Sequence, residues 1–136
     1  MKASFKVNKS ALRSEFDKIR DHCEMEAKDL AEDIADSAIT FSTPFVDTGA
    51  YITSFSFSTG AGRPRGKSSR RKQGNQPPAQ KASEGRDLLE SDLSNINFDE
   101  NLSMVTLRNG APHGSSEDWG VERNHRVFER LRIKYG

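Results

Sequence analysis

Chemistry in this chain would have to come from three histidines, one cysteine, a scatter of serines and a single Asp-Thr-Gly tripeptide. His22, His113 and His125, with a serine and any of several aspartates, supply the residue types of a hydrolytic triad. No Gly-x-Ser-x-Gly turn or comparable nucleophile setting accompanies them, so their joint presence reads as coincidence. A metal centre needs His, Cys, Asp or Glu clustered at ligand spacing. Cys23 falls instead within an apolar helical stripe, His22 sits beside it on an outward face, and His113 and His125 are loop residues. Asp47-Thr48-Gly49 matches the tripeptide of aspartic proteases, whose catalytic Asp works with a second carboxylate. Here it follows a long helix, without the hydrophobic strand that would present it. The expectation is a protein with no catalytic residues, no metal and no cofactor.

Charge is the stronger signal. The chain is nearly neutral at +1, but residues 59–86 hold eight basic groups and one acid. Arg63, Arg65, Lys67, Arg70, Arg71, Lys72, Lys81 and Arg86 stand among Gly, Ser, Pro and Gln with no aromatic between them. Lysines and arginines in such a setting suit phosphates, where they displace condensed counterions. The stacking rings of single-strand binders are missing, as is any module for reading base edges. A solvated loop that orders against acidic neighbours during assembly accounts for the same residues. Too little apolar surface lies in 59–86 to offset the entropy of ordering it, so the segment reads as a long basic, flexible insertion between strands, or between a strand and a short helix. Trp119, the only tryptophan, lies in an acidic loop (Glu117-Asp118-Trp119-Gly120-Val121-Glu122) and is a candidate core or interface anchor.

The elements that must position these residues follow from periodicity. At 136 residues the chain is one domain, 1–136, with the arm inserted in it. One cysteine rules out an intrachain disulfide and fits a reducing cytoplasm. No apolar run is long enough to span a bilayer, and Lys2 is not followed by the apolar stretch of a signal peptide. An apolar fraction of 33% and a mean hydropathy of −0.79 suit a chain that carries unfolded segments or completes its core in an assembly.

Residues 2–7 alternate in period 2 and predict a short strand, and Asn8 or Ser10 can cap a helix starting after them. From about 10 to 40, Leu12, Phe16, Ile19, Cys23, Ala27, Leu30, Ile34 and Ala38 recur at steps of 4, 3, 4, 4, 3, 4 and 4. That is one face of a helix, widened late by Ala31, Ala35 and Ile39. It is either a helix lying across a sheet or one whose overhanging turns also pack on a neighbouring subunit. Pro44 ends it near Ser42 and disfavours helical geometry at Thr43. Asp47 can bond the amides of Thr48 or Gly49 in an Asx turn, and Gly49 supplies a position where positive φ is unstrained. Residues 51–57 then alternate as a strand. Residues 87–96 fit a short helix or irregular turn, 103–108 a strand, Asn109-Gly110 a turn, and 127–135 an amphipathic strand with a helix as the alternative.

In order and in motif this resembles the tail-completion (head–tail connector, neck) proteins of tailed bacteriophages. In that family a long helix runs into a Thr-Pro-Val-Asp-Thr-Gly-x-Leu-x-x-Ser corner. The match here is Thr43, Pro44, Val46, Asp47, Thr48, Gly49 and Ser54, with Phe45 inserted and Tyr51 in the place of Leu. Asn109, Ala111, Pro112, His113 and Gly114 are similar to the family's Asn-x-x-Pro-Tyr-Ala turn, and Trp119-Gly120 or Glu122 to the acidic segment after it. The resemblance implies an α+β subunit, a long N-terminal helix packed on a mostly antiparallel sheet, and a ring of copies, commonly six. That ring would sit in the virion neck, be made in the host cytoplasm, and touch no membrane. It would join portal or adaptor to tail-tube or tail-terminator proteins, with its arms near genomic DNA in the channel. Pro44, Asp47, Thr48 and Gly49 would be its structural corner, and His113 and Trp119 candidate interface residues. Two other classes fit the arm: a nucleic-acid-binding accessory protein acting through 63–86, and a small regulatory or toxin–antitoxin-like protein.

Overall fold

The computed structural model describes residues 8–46, 49–59, 75–98, 105–111 and 125–136. Within them the fold is α+β: helix α1 (Lys9–Ser42), a 3-10 turn (Thr43–Phe45), strand β1 (Phe55–Thr59), helix α2 (Pro78–Ser94), strand β2 (Val105–Asn109) and helix α3 (Val127–Tyr135). The expected strand at 2–7 lies outside the described residues.

Helix α1 begins where its sequence asks it to. The Asn8 side chain accepts from the amides of Ser10 and Ala11 at 3.1 and 3.2 Å, satisfying two of the unpaired donors of the first turn. With no Gly or Pro inside it, the helix runs 34 residues, about 51 Å. At its end, Ser42 Oγ and Thr43 Oγ1 donate to the carbonyls of Ala38 and Ile39 at 2.7 Å each. These hydroxyls bond back to carbonyls of the last turn, at Ile39 beside the Thr43 amide that already donates to it. Thr43 itself keeps helical geometry (φ −57°, ψ −40°), against the expectation that Pro44 would push it out. The turn tightens to 3-10 and places Pro44 where an amide is not needed.

The corner differs from its sequence reading in one respect. Gly49 does adopt positive φ, +77°, but the strand starts at Phe55 and not at Tyr51. Thr53 donates to the Gly49 carbonyl through its amide (3.1 Å) and its hydroxyl (2.6 Å), and Ser54 Oγ donates to the Ala50 carbonyl. These bonds to carbonyls four residues back hold 49–54 in a single helical turn, so both Tyr51 and Ile52 are buried where alternation would have exposed one.

β1 and β2 pair antiparallel from Phe55↔Asn109 to Thr59↔Val105 and form the two-stranded sheet of the described residues. Helix α2 covers β1, and the carboxylate of its Asp92 accepts from the Phe57 amide at 3.1 Å, occupying a donor on the strand's outer edge. Two segments are helical against expectation. Residues 78–86, assigned by composition to the arm, are the first half of α2, and 127–135 form α3, the alternative to the expected strand. In α3, Val127 and Leu131 are buried one turn apart, a spacing that a strand would put on one face only by burying the intervening Glu129 as well.

One core joins all of this. It holds Ala31, Ala35, Ala38 and Ile39 of α1, Tyr51, Ile52, Phe55 and Phe57 of the corner and β1, Leu89 and Leu93 of α2, Phe98, and Val127 and Leu131 of α3. Gly85 is what lets α2 close on the corner: a Cβ there would lie 2.4 Å from the Ile52 carbonyl oxygen and 3.0 Å from Ile39 Cδ1. Alanine is the better helix former by about 1 kcal/mol, yet we expect Gly85→Ala to lower stability by about 1–3 kcal/mol, because a backbone oxygen has to give way. Thermal melting checks this; a raised melting temperature would show that the contact is loose.

Candidate assembly interface

The candidate site is the half of α1 that the core does not reach. Its buried residues are Ala31, Ala35, Ser37, Ala38, Ile39 and Ser42, all in the C-terminal third. Toward the N-terminus the same apolar stripe continues into solvent: Leu12 is 46% exposed, Phe16 62%, Ile19 58% and Leu30 50%. Cys23, in line with them, is exposed too.

What covers the stripe at its other end is α3. Ile34, Ser37 and Phe41 continue the line of Leu12, Phe16, Ile19, Cys23 and Leu30, and α3 lies on Ser37 and Phe41. The Arg130 guanidinium stands 4.0 Å over the Phe41 ring, a cation–π contact. At the far end Lys134 Nζ donates to Ser37 Oγ (2.8 Å), Ser37 Oγ lies 2.6 Å from the Tyr135 hydroxyl, and that hydroxyl donates to the Asp33 carbonyl (2.9 Å). Since Tyr135 spends its proton on Asp33, Ser37 is the donor of the middle bond. A serine beside a lysine invites a nucleophile reading. Here the ammonium donates to the serine, so it takes no proton from it, and the chain of bonds locks α3 to α1. Nothing local in the sequence links residue 37 to residues 134 and 135, so this trio is not legible there.

Ion pairs dress the exposed half. Lys18–Glu15 (3.3 Å), Arg20–Asp17 (3.2 Å) and Arg20–Glu24 (3.7 Å) all lie within α1, where His22 Nε2 also stands 3.0 Å from Glu26. Nearer the body, Arg86 of α2 holds Glu90 (3.1 Å) and reaches across to Asp36 of α1 (2.6 Å). Its hydrogen bond to Glu90, and then the charge of Asp36, raise its pKa further above the ordinary arginine value. These pairs are half-exposed, so solvent screening holds each to under about 1 kcal/mol.

The two motifs singled out by sequence meet in space. Asn109 Nδ2 donates to the Tyr51 carbonyl (2.9 Å), its Oδ1 accepts from the Ala111 amide (2.9 Å), and the Gly110 amide donates to the Ser54 carbonyl (3.2 Å). Asn109 thus ties the end of β2 to the corner, while its bond to the Ala111 amide closes an Asx turn, as the Asn109-Gly110 pair suggests. An aromatic chain continues from there: Phe45 to Tyr51 (6.1 Å), Tyr51 to Phe55 (5.1 Å, edge-on) and Phe55 to Phe128 (5.9 Å). His125 stacks on Phe45 at 3.8 Å. Pro44 is exposed in the 3-10 turn.

Lys81, one of the candidate DNA or partner contacts, lies in α2 close to the body. Its side chain is 16% exposed, packs beneath Gly49 and bonds Glu84 at 3.0 Å. Asp47, Thr48, Arg63, Arg65, Lys67, Arg70, Arg71, Lys72, His113 and Trp119 lie outside the described residues. Among the described residues no group of three His, Cys, Asp or Glu is placed to hold a metal ion, and no helix is long and apolar enough to cross a membrane.

Comparison with protein-family models, with curated proteins and with solved structures finds no match.

Gly49→Val tests the corner on which these contacts converge. A β-branched residue resists φ near +77°, and its Cβ would meet Lys81 Cδ at 2.6 Å. We expect a loss of about 1–3 kcal/mol in denaturant unfolding; unchanged stability would mean that the corner relaxes freely.

Proposed function

We propose that this chain is a structural subunit of a tailed-phage neck, a tail-completion protein whose copies form a ring between the head and the tail. The observation that carries the reading is the uncovered apolar half of α1. A subunit whose longest helix extends some 20 residues beyond its own core is built to finish that core on something else. The corner motif adds to it. The residues that carry the phage resemblance, Pro44, Gly49, Ser54 and Asn109 among them, shape the point where α1 turns into the sheet. In this reading the protein performs no catalysis. The ring is commonly of six copies, contacts portal or adaptor on one side and tail-tube or tail-terminator proteins on the other, and resides in the virion.

A second reading, a nucleic-acid-binding accessory protein, draws on the six cations and no acids of 60–74. With Lys81 and Arg86 committed to partners in and beside α2, the arm's cations are Arg63, Arg65, Lys67, Arg70, Arg71 and Lys72.

Two measurements separate the readings. Neck particles carrying the chain should contain it as a closed ring when their mass and symmetry are determined by electron microscopy; a single copy per particle contradicts the proposal. Duplex binding by the arm should have a log–log salt slope no steeper than about −5, and Arg70, Arg71 and Lys72→Ala together should flatten it by about 3. Tight, salt-steep binding by a chain that never forms rings would favour the accessory protein.

A further inference from the structure

Charge along the exposed half of α1 specifies what covers it. Leu12, Phe16, Ile19 and Cys23 are spaced 4, 3 and 4, the alternating core positions of a helix-to-helix seam. Arg13 and Arg20 each come directly after a core residue and flank the seam on one side. Glu15 and His22 each precede one and flank it on the other. The positions next to the seam are therefore basic on one side, Arg13 and Arg20, and carry Glu15 on the other, extended by Glu26 and Asp29; Asp17 and Glu24, bonded to Arg20, and Lys18, bonded to Glu15, stand one position farther out. Two helices lying parallel and in register place the acidic border of one against the basic border of the other, with Glu15 facing the residue five positions on, Arg20, along both edges of the seam. Antiparallel helices bring like borders together: Arg20 against arginine and Glu15 against acid. Through Ala27, Leu30 and Ile34 the spacing becomes an 11-residue repeat, close to the pitch of an unstrained helix, so the stripe stays straight along its length.

We infer that residues 9–30 of α1 form the contact between copies of this chain, packed parallel and in register with the same segment of a second copy. The inference rests on the ring reading above for the identity of the occupant, and adds its surface and its direction. Parallel packing suits a ring, because copies related by rotation about an axis along α1 each present a basic border to the next copy's acidic one. The pairing therefore closes with two copies or with more. The stripe's inner end, at Ser37 and Phe41, is already taken by α3. The second helix is thus limited to the outer turns and leaves the body of each subunit unchanged.

Charge exchange tests the surface, and cross-linking tests the direction. Arg20→Glu and Glu15→Arg each put like charges along both edges, so each variant alone should self-associate about tenfold more weakly than the parent. An equimolar mixture restores opposite charges on both edges and should recover association. At a dilution where the parent is monomeric, all three samples should melt close to it, since both residues are exposed. For direction, Leu12→Cys and Leu30→Cys are made in a Cys23→Ser background and oxidised with diamide. Parallel packing gives 12–12 and 30–30 disulfides, and mixing the two variants gives few 12–30 products. Dominant 12–30 products, or association indifferent to the charge exchange, overturn the inference and leave the ring intact on another surface. A full chain that sediments as a monomer at every concentration overturns the inference, while a ring seen in neck particles would preserve the reading beneath it.

Discussion

Everything in this fold answers to one mismatch of length. Helix α1 is about 51 Å long, and the rest of the described chain covers its final third. Burying one large apolar side chain is worth about 1.5–3 kcal/mol, so Leu12, Phe16, Ile19 and Leu30 together represent a free energy that the isolated subunit leaves unrealised. An unsupported helix of that size is marginal in water, because helices in proteins owe their stability mostly to the face they bury. The ion pairs along the overhang add tenths of a kcal/mol each. They steady it without replacing a packing surface.

The body is arranged to leave the overhang alone. Small residues at Ala31, Ala35 and Ala38 bring α1 close to its neighbours, and Gly85 brings α2 down on the corner. The corner then turns the chain sharply, with Gly49 in the left-handed region and Asn109 fastening it to β2. Helix α3 finishes the inner stretch of the stripe through Arg130 over Phe41 and the Lys134–Ser37–Tyr135 bonds. Each device compacts one end of the molecule. The result is a folded body from which the charged, apolar-striped turns of α1 extend.

Much of this could be read before any coordinates. The period of α1, its Asn8 cap, its end at Ser42 and the positive φ of Gly49 are local consequences of residue type, and local physics decides them. The failures share a cause as well. At 51–54, β-branched and hydroxyl residues suggest a strand, but Thr53 and Ser54 bond to carbonyls four residues back. At 78–86 the buried face of α2 consists of small residues, Ala82 and Gly85, which composition averaged over the arm hides. At 127–135 an apolar alternation and a helical stripe coincide over nine residues, and only the packing of Val127 and Leu131 against the core separates them. In the candidate interface, the stripe itself was legible. Which half of it the subunit keeps for its own core depends on where α2 and α3 end up, and no local pattern carries that.

The central claim is that the stripe of α1 is divided, its inner turns belonging to the subunit and its outer turns to a second copy. Amide hydrogen exchange across a dilution series of the full chain reads this residue by residue. The account predicts that the inner turns, around Ala31 to Ser42, are protected at every concentration, and that residues 12–30 exchange freely when dilute and become protected as the chain is concentrated. Protection of 12–30 that does not change with concentration, whether high or low throughout, would contradict it.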